Sequence, residues 1–98
     1  MYAIEYTREA AQDLKWFKKH EQAIIIDAIN TQLHYEPTLE TRNRFPQRDG
    51  DSKISDWELR VADFRVYYNV DEQVRIVRIE RITEKRNNWN LFRGRKER

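Results

Sequence analysis

The stretch that decides the fold is "WELRVADFRVYYNVDE", Trp57 to Glu72. Apolar residues at Trp57, Leu59 and Val61, then at Phe64, Val66, Tyr68 and Val70, alternate with polar ones on either side of Ala62-Asp63. A period of two marks strands with one buried face, and so short a connection makes them an antiparallel hairpin. The same alternation sends Glu58, Arg60, Arg65, Tyr67 and Asn69 to the other face. An ordinary solvated face is served equally well by Thr, Ser or Lys. Here it carries a carboxylate, arginines and a tyrosine.

The pattern extends in both directions. Downstream, Asp71-Glu72 leads into "QVRIVRIERIT", a third strand of a meander. Upstream, "YAIEYT" reads as a strand over Tyr2–Tyr6, and Thr7 is placed to cap the helix that follows, with Glu9 in its first turn. "REAAQDLKWFKKH" sets Ala10, Leu14 and Phe17 on one helical face, with Ala11 close by. "EQAIIIDAINTQLHYE" does the same with Ile25, Ala28, Ile29 and Leu33, and Pro37 ends it. A short link at His20 and Glu21 predicts an antiparallel helix pair. Residues 38–52 have little periodicity, contain Pro46 and the turn signal Asp49-Gly50, and predict an exposed loop with basic points at Arg42, Arg44 and Arg48. The segment from Lys85 to Arg98 predicts one short further element before a frayed basic end. The expected fold class is α+β in the order β-α-α-β-β-β. A twisted, mainly antiparallel four-stranded sheet would carry the helix pair on one face and leave the other open.

Ninety-eight residues suit a single domain spanning 1–98. With no cysteine there is no disulfide framework and no thiolate metal site, and a reducing cytoplasm is the expected location. No apolar run reaches the length of a membrane span, so no membrane partner is expected. The formal net charge is +2, but Arg81 to Arg98 holds seven Lys/Arg against two Glu. That basic end suggests a polyanion or an acidic protein as partner, or else a solubilising tail.

Most catalytic constellations are missing. The two histidines, His20 and His34, lack ligand spacing, so no metal is expected. Gly50 and Gly94 make no phosphate loop, and Ser52 and Ser55 have no histidine in the sheet to activate them. One reaction suits the open face: cleavage of RNA by its own 2′-hydroxyl, which needs a base, charge stabilisation at the phosphate and no cofactor. Glu58 is the candidate base. Arg65 and Arg86 are candidates to clamp the phosphate, and Tyr67 or Trp89 to stack a base. The alternative for Glu58 is a plain cross-strand salt bridge to an arginine such as Arg65.

"WELRVADFRVYYNVDEQVRIVRIERITEKR", with "LHYEPTLETRNRFPQR" before it and "IEYTREAAQDLKWF" at the start, resembles the RelE/ParE superfamily of bacterial toxin–antitoxin toxins, up to about Phe92. The features carrying the likeness are a Leu-Arg strand, a short turn, an aromatic-Arg-Val-aromatic-Tyr strand and the late Lys85-Arg86 pair. The resemblance implies a small toxin held inactive by a cognate antitoxin. RelE-like members enter the ribosome and cut messenger RNA, whereas ParE-like members poison DNA gyrase without cleaving RNA. It matches Arg65 and Arg86 to the family's arginines. The family's second-strand lysines are replaced by Asp56 and Glu58, and its late tyrosine by Phe92. Some relatives use a glutamate as base, which Glu58 matches. Arg60, Tyr67, Lys53, Lys85, Trp89 and Phe92 are then the expected RNA contacts, with the proton donor unassigned. A ribosome-dependent endoribonuclease is the leading expectation. A gyrase poison, or a decayed toxin acting only in its antitoxin complex, are the alternatives.

Overall fold

The computed structural model describes residues 1–47 and 53–96; Arg48, the Asp49-Gly50 turn and Ser52 lie outside the described residues. The elements run β1 (Ala3–Tyr6), α1 (Arg8–Trp16), α2 (Lys19–Leu33), β2 (Arg44–Pro46), β3 (Trp57–Val61), β4 (Phe64–Asp71), β5 (Ile76–Arg86), β6 (Trp89–Phe92) and β7 (Arg95–Lys96). The expected α+β class and the β3–β4 hairpin are present. The sheet is larger than the four strands expected, with order β2-β3-β4-β5-β6-β7 and β1 added parallel to β5.

Both helices begin where their ends can be satisfied. The Thr7 hydroxyl accepts the Ala10 N–H at 3.1 Å, and the Glu21 carboxylate accepts the Lys18 N–H at 2.9 Å. The break between helices falls at Phe17-Lys18, earlier than the link expected at His20 and Glu21. Ala10 of α1, Phe17 just after it, and Ile25, Ile29 and Leu33 of α2 are buried against Leu59, Val66, Tyr68, Val77, Ile79 and Ile82. Phe17 meets Phe64 edge-on at 5.2 Å, and Trp57 stacks on Tyr68 at 6.3 Å.

Three departures from the sequence reading have physical causes. Arg44, expected on an exposed loop, is buried. It opposes Leu59 on the helix-facing side of the sheet, where its guanidinium donates to the carbonyls of Leu39, at 2.7 Å, and of Gln32. It thereby satisfies a carbonyl left over in the last turn of α2, where a cation also suits the helix dipole. The third meander strand starts only at Ile76, because residues 72–75 form a turn with Arg75 in the left-handed region. The segment after β5 holds two short strands where one short element was expected: β6 and β7 form a hairpin through Arg93-Gly94, both at positive φ, and the end expected to fray, Glu97 and Arg98, lies outside the described residues.

β5 organises the sheet. On one side β4 covers Ile76–Glu84; on the other, β1 covers Ile76–Ile79 and β6 covers Glu84–Arg86. The interval between is closed by α1 rather than by a strand. Thr7 Oγ1 donates to the Glu80 carbonyl at 3.0 Å, and the Ile82 N–H donates to Asp13 Oδ2 at 2.9 Å. Asp13 is fully buried. It also takes the Arg81 guanidinium at 2.9 and 3.2 Å and Arg93 Nε at 2.9 Å.

A single hydroxyl ties the sheet to the segment after α2. The Tyr68 hydroxyl donates to the Pro37 carbonyl at 2.7 Å in the core, and burial pushes its phenol pKa far up. Tyr68→Phe removes the donor and leaves that carbonyl buried without its partner. We expect a loss of about 1–2 kcal/mol, measured by urea denaturation at neutral pH. An unchanged midpoint would mean that the carbonyl finds water instead.

Candidate active site

The open face of the sheet is built by cross-strand rows. Partners in a ladder share a face, so Phe45, Glu58, Tyr67 and Arg81 form one row across β2 to β5. Arg60, Arg65 and Thr83 form the next, and Lys85 with Asn90 follows further along β5 and β6. This is the arrangement that the alternation predicted for Glu58, Arg60 and Arg65.

Glu58 sits between two cations. Its Oε2 lies 3.5 Å from Arg60 Nε and 3.7 Å from Arg65 Nε, with the carboxylate side chain 12% exposed and that of Arg65 14%. Arg65 is pinned at the other edge of its guanidinium, where Nη1 donates to the carbonyls of Ala62 and Phe64 at 2.9 Å each. Ala62 occupies the hairpin turn at φ 53°, a left-handed conformation that a non-glycine residue rarely adopts. The fixed Arg65 side chain braces that turn while its Nε side faces Glu58. Arg60 is freer and lies over the Phe45 ring at 4.6 Å. The result is a largely buried carboxylate with one rigid and one adjustable guanidinium, at the lip of a tight turn.

Tyr67 departs from expectation. Alternation placed it on the open face, ready to stack a base, but it is buried. A register shift at Tyr67/Tyr68 puts Glu80 in excess on β5, and β6 then reaches over the tyrosine. Asn90 Nδ2 donates to the Tyr67 hydroxyl at 2.9 Å, and Thr83 Oγ1 donates to Asn90 Oδ1. Burial pushes the Tyr67 phenol pKa up and the neighbouring Glu58 charge pushes it further, against hydrogen bonds from Thr83 and Asn90. Tyr67 is a floor under Glu58 and has no exposed ring to offer. Thr83 and Asn90 were not singled out from the sequence, because nothing in a polar alternation distinguishes a residue that supports a neighbour.

Arg86 is not brought to this cluster. It opposes Trp89 and shares the pleat of Glu84, which opposes Phe64 on the helix-facing side. Its Nη2 engages Glu84 at 3.0 Å. Trp89, half exposed, belongs to the same side and lies under Lys96 Nζ at 4.0 Å. Phe92 is partly buried beneath the Arg81 guanidinium at 4.7 Å. Lys85 is exposed on the open face, and Lys53 is paired with Asp56 at 3.1 Å. Among the described residues no group of three His, Cys, Asp or Glu could hold a metal ion. No helix among them is long and apolar enough to cross a membrane.

Known structures share this architecture. A chain of the toxin–antitoxin complex RelBE2 from Mycobacterium tuberculosis aligns with a TM-score of 0.70 at 23% identity, over 85% of this chain and 96% of that one. A chain of the archaeal RelE–RelB complex from Pyrococcus horikoshii aligns at 0.68 and 17% identity, over 88% and 97%. A conserved hypothetical protein from Helicobacter pylori gives 0.53 at 17% identity, over 86% and 94%. No family model matches the sequence, and no curated protein does. The chain has the fold of the RelE toxins, as the resemblance of its hairpin and late basic pair implied.

Proposed function

We propose that this chain is the toxin of a toxin–antitoxin module and that it cleaves messenger RNA on the ribosome through the Glu58 cluster. The observation that carries the proposal is the largely buried Glu58 carboxylate flanked by Arg60 and the pinned Arg65. An acceptor for the 2′-hydroxyl proton stands beside two donors matched to phosphate oxygens. In the proposed step Glu58 takes that proton and the 2′-oxygen attacks the adjacent phosphorus. The bond to the 5′-oxygen breaks, and the departing oxygen takes a proton from water. Arg65, already oriented, holds the equatorial oxygens as charge builds on them, and Arg60 leaves Phe45 to join it. Lys85 supplies a further cation on the same face. Arg86 participates by turning away from Glu84 around the end of β5. An antitoxin is the proposed protein partner, because the M. tuberculosis and P. horikoshii neighbours were solved as complexes with theirs.

Mapping messenger 5′ ends in cells after induction tests the proposal. We expect cuts inside open reading frames that disappear when translation is blocked beforehand. Intact messengers, combined with failure of purified gyrase to supercoil, would transfer the protein to the ParE-like alternative.

A further inference from the structure

A second feature of this face lies where the sheet meets α1. Glu9 and Trp16 of α1, Arg81 of β5 and Phe92, Arg93 and Arg95 of the C-terminal hairpin line an open cavity of about 390 Å³. That size is within the range of small-ligand pockets, roughly 300–1,000 Å³. Its walls are held in place by charge. Buried Asp13 takes Arg81 and Arg93 together, and Arg93 also reaches the Glu9 carboxylate at 2.7 Å. Those contacts fix the hairpin against the helix. Gly94 packs so closely there that a Cβ on it would stand 2.9 Å from the Trp16 ring. Trp16 nevertheless remains 48% exposed, so a large part of the indole is left unpacked. Arg95, also exposed, has no ion-pair partner among the described residues. Three guanidiniums against the carboxylates of Glu9 and Asp13 leave the pocket net positive.

An accessible indole beside an unpaired guanidinium is the chemistry that holds one unit of a single-stranded nucleic acid: the base stacks and the phosphate pairs. An acidic peptide would also meet the charge, but position favours RNA. Arg81 lies in the same row as Glu58, two interstrand spacings away, or roughly 9.5 Å. The pocket therefore continues the face on which the proposed cleavage occurs. We infer that the seam between α1 and the C-terminal hairpin binds one nucleotide of single-stranded RNA flanking the cut, its base on Trp16 and its phosphate on Arg95. This inference rests on the proposed RNA-cleaving function for its choice of ligand.

The test is fluorescence anisotropy of a labelled single-stranded RNA hexamer with the full chain carrying Glu58→Gln, so that the probe survives. Trp16→Ala should weaken binding about tenfold, the scale of one lost base stack, and Trp16→Phe should restore most of it. Arg95→Ala should reduce the slope of log affinity against log salt by about 0.7, the signature of one lost phosphate contact on a single strand. Circular dichroism melts of each variant show whether it is folded. If folded Trp16→Ala and Arg95→Ala variants bind the hexamer like the parent, the pocket assignment is wrong while messenger cleavage can still stand. If cells show no cleavage yet binding falls as described, the pocket stands and the proposed catalysis fails. Binding of an acidic peptide but not of RNA, competition by inorganic phosphate as effective as by unlabelled hexamer, or no RNA binding at all would each overturn the inference.

Discussion

Glu58→Gln should lower messenger cleavage by about 10²–10⁴-fold, the usual contribution of a positioned general base, and relieve growth inhibition to match. Stability should scarcely change. Gln has the same shape, keeps an oxygen for Arg60 and Arg65, and replaces ion pairs already long at 3.5 and 3.7 Å. The pair with Arg60, whose side chain is 53% exposed, contributes about 0–1 kcal/mol. The two readings of Glu58 thus give opposite results. If the residue only neutralises its neighbours, Glu58→Gln softens the fold slightly and the protein stays toxic. If it is the base, activity collapses in a protein with a nearly unchanged melting temperature. Arg65→Ala is a less clean companion, because it also removes the brace on the Ala62 and Phe64 carbonyls. Full toxicity of a folded Glu58→Gln variant would end the proposed mechanism.

What the sequence made legible followed physical periodicity. The Trp57–Val70 alternation, the Thr7 cap and the stripe of Ala10, Leu14 and Phe17 all appear where one buried face imposes a repeat. Arg44 was illegible because its burial depends on carbonyls from Gln32 and Leu39, which no local pattern announces. Tyr67 was misplaced because alternation assumes an unbroken ladder, and one extra residue at Glu80 with a strand laid over it changes what an outward position means. The C-terminal strands were legible only as one short element, since Trp89 and Leu91 alternate over too few residues to separate a strand from a helix and Arg95-Lys96 has no apolar residue. The site was legible to the same extent as the hairpin. Glu58, Arg60 and Arg65 come together because they are neighbours on its pleat. Arg86 does not join them, because its strand parity could be counted only once the register through the Glu80 irregularity was known.

Asp13 shows how a local signal can be present and still be passed over. It lies three residues after Ala10 and four before Phe17, on the apolar stripe of α1, where a carboxylate has no place unless something buried needs it. Three groups do: the buried Ile82 N–H in the gap between β1 and β6, the Arg81 guanidinium and Arg93 Nε. Asp13→Ala removes this shared acceptor from all three, while Arg93 keeps the Glu9 carboxylate at 2.7 Å. Breaking a buried charged network from one side costs about 3–5 kcal/mol. Arg81 and Arg93, with side chains 21% and 31% exposed, retain some water, which favours the lower part of that range. For a domain of this size the melting temperature should fall by roughly 12–40 °C. Asp13→Asn should lose less, since an amide oxygen can still accept the Ile82 N–H although the charge is gone. The ordering Asp13→Ala worse than Asp13→Asn, with the Ile82 amide exchanging faster in the alanine variant, separates loss of this acceptor from loss of helix packing. A change below about 1 kcal/mol for Asp13→Ala would mean that water replaces the carboxylate. The C-terminal hairpin would then have to be held to α1 chiefly by Arg93 with Glu9 and by Gly94 on Trp16. If the loss is as large as expected, the same residue that closes the sheet also fixes two walls of the pocket beside it. Folding and the shape of that pocket would then depend on one carboxylate.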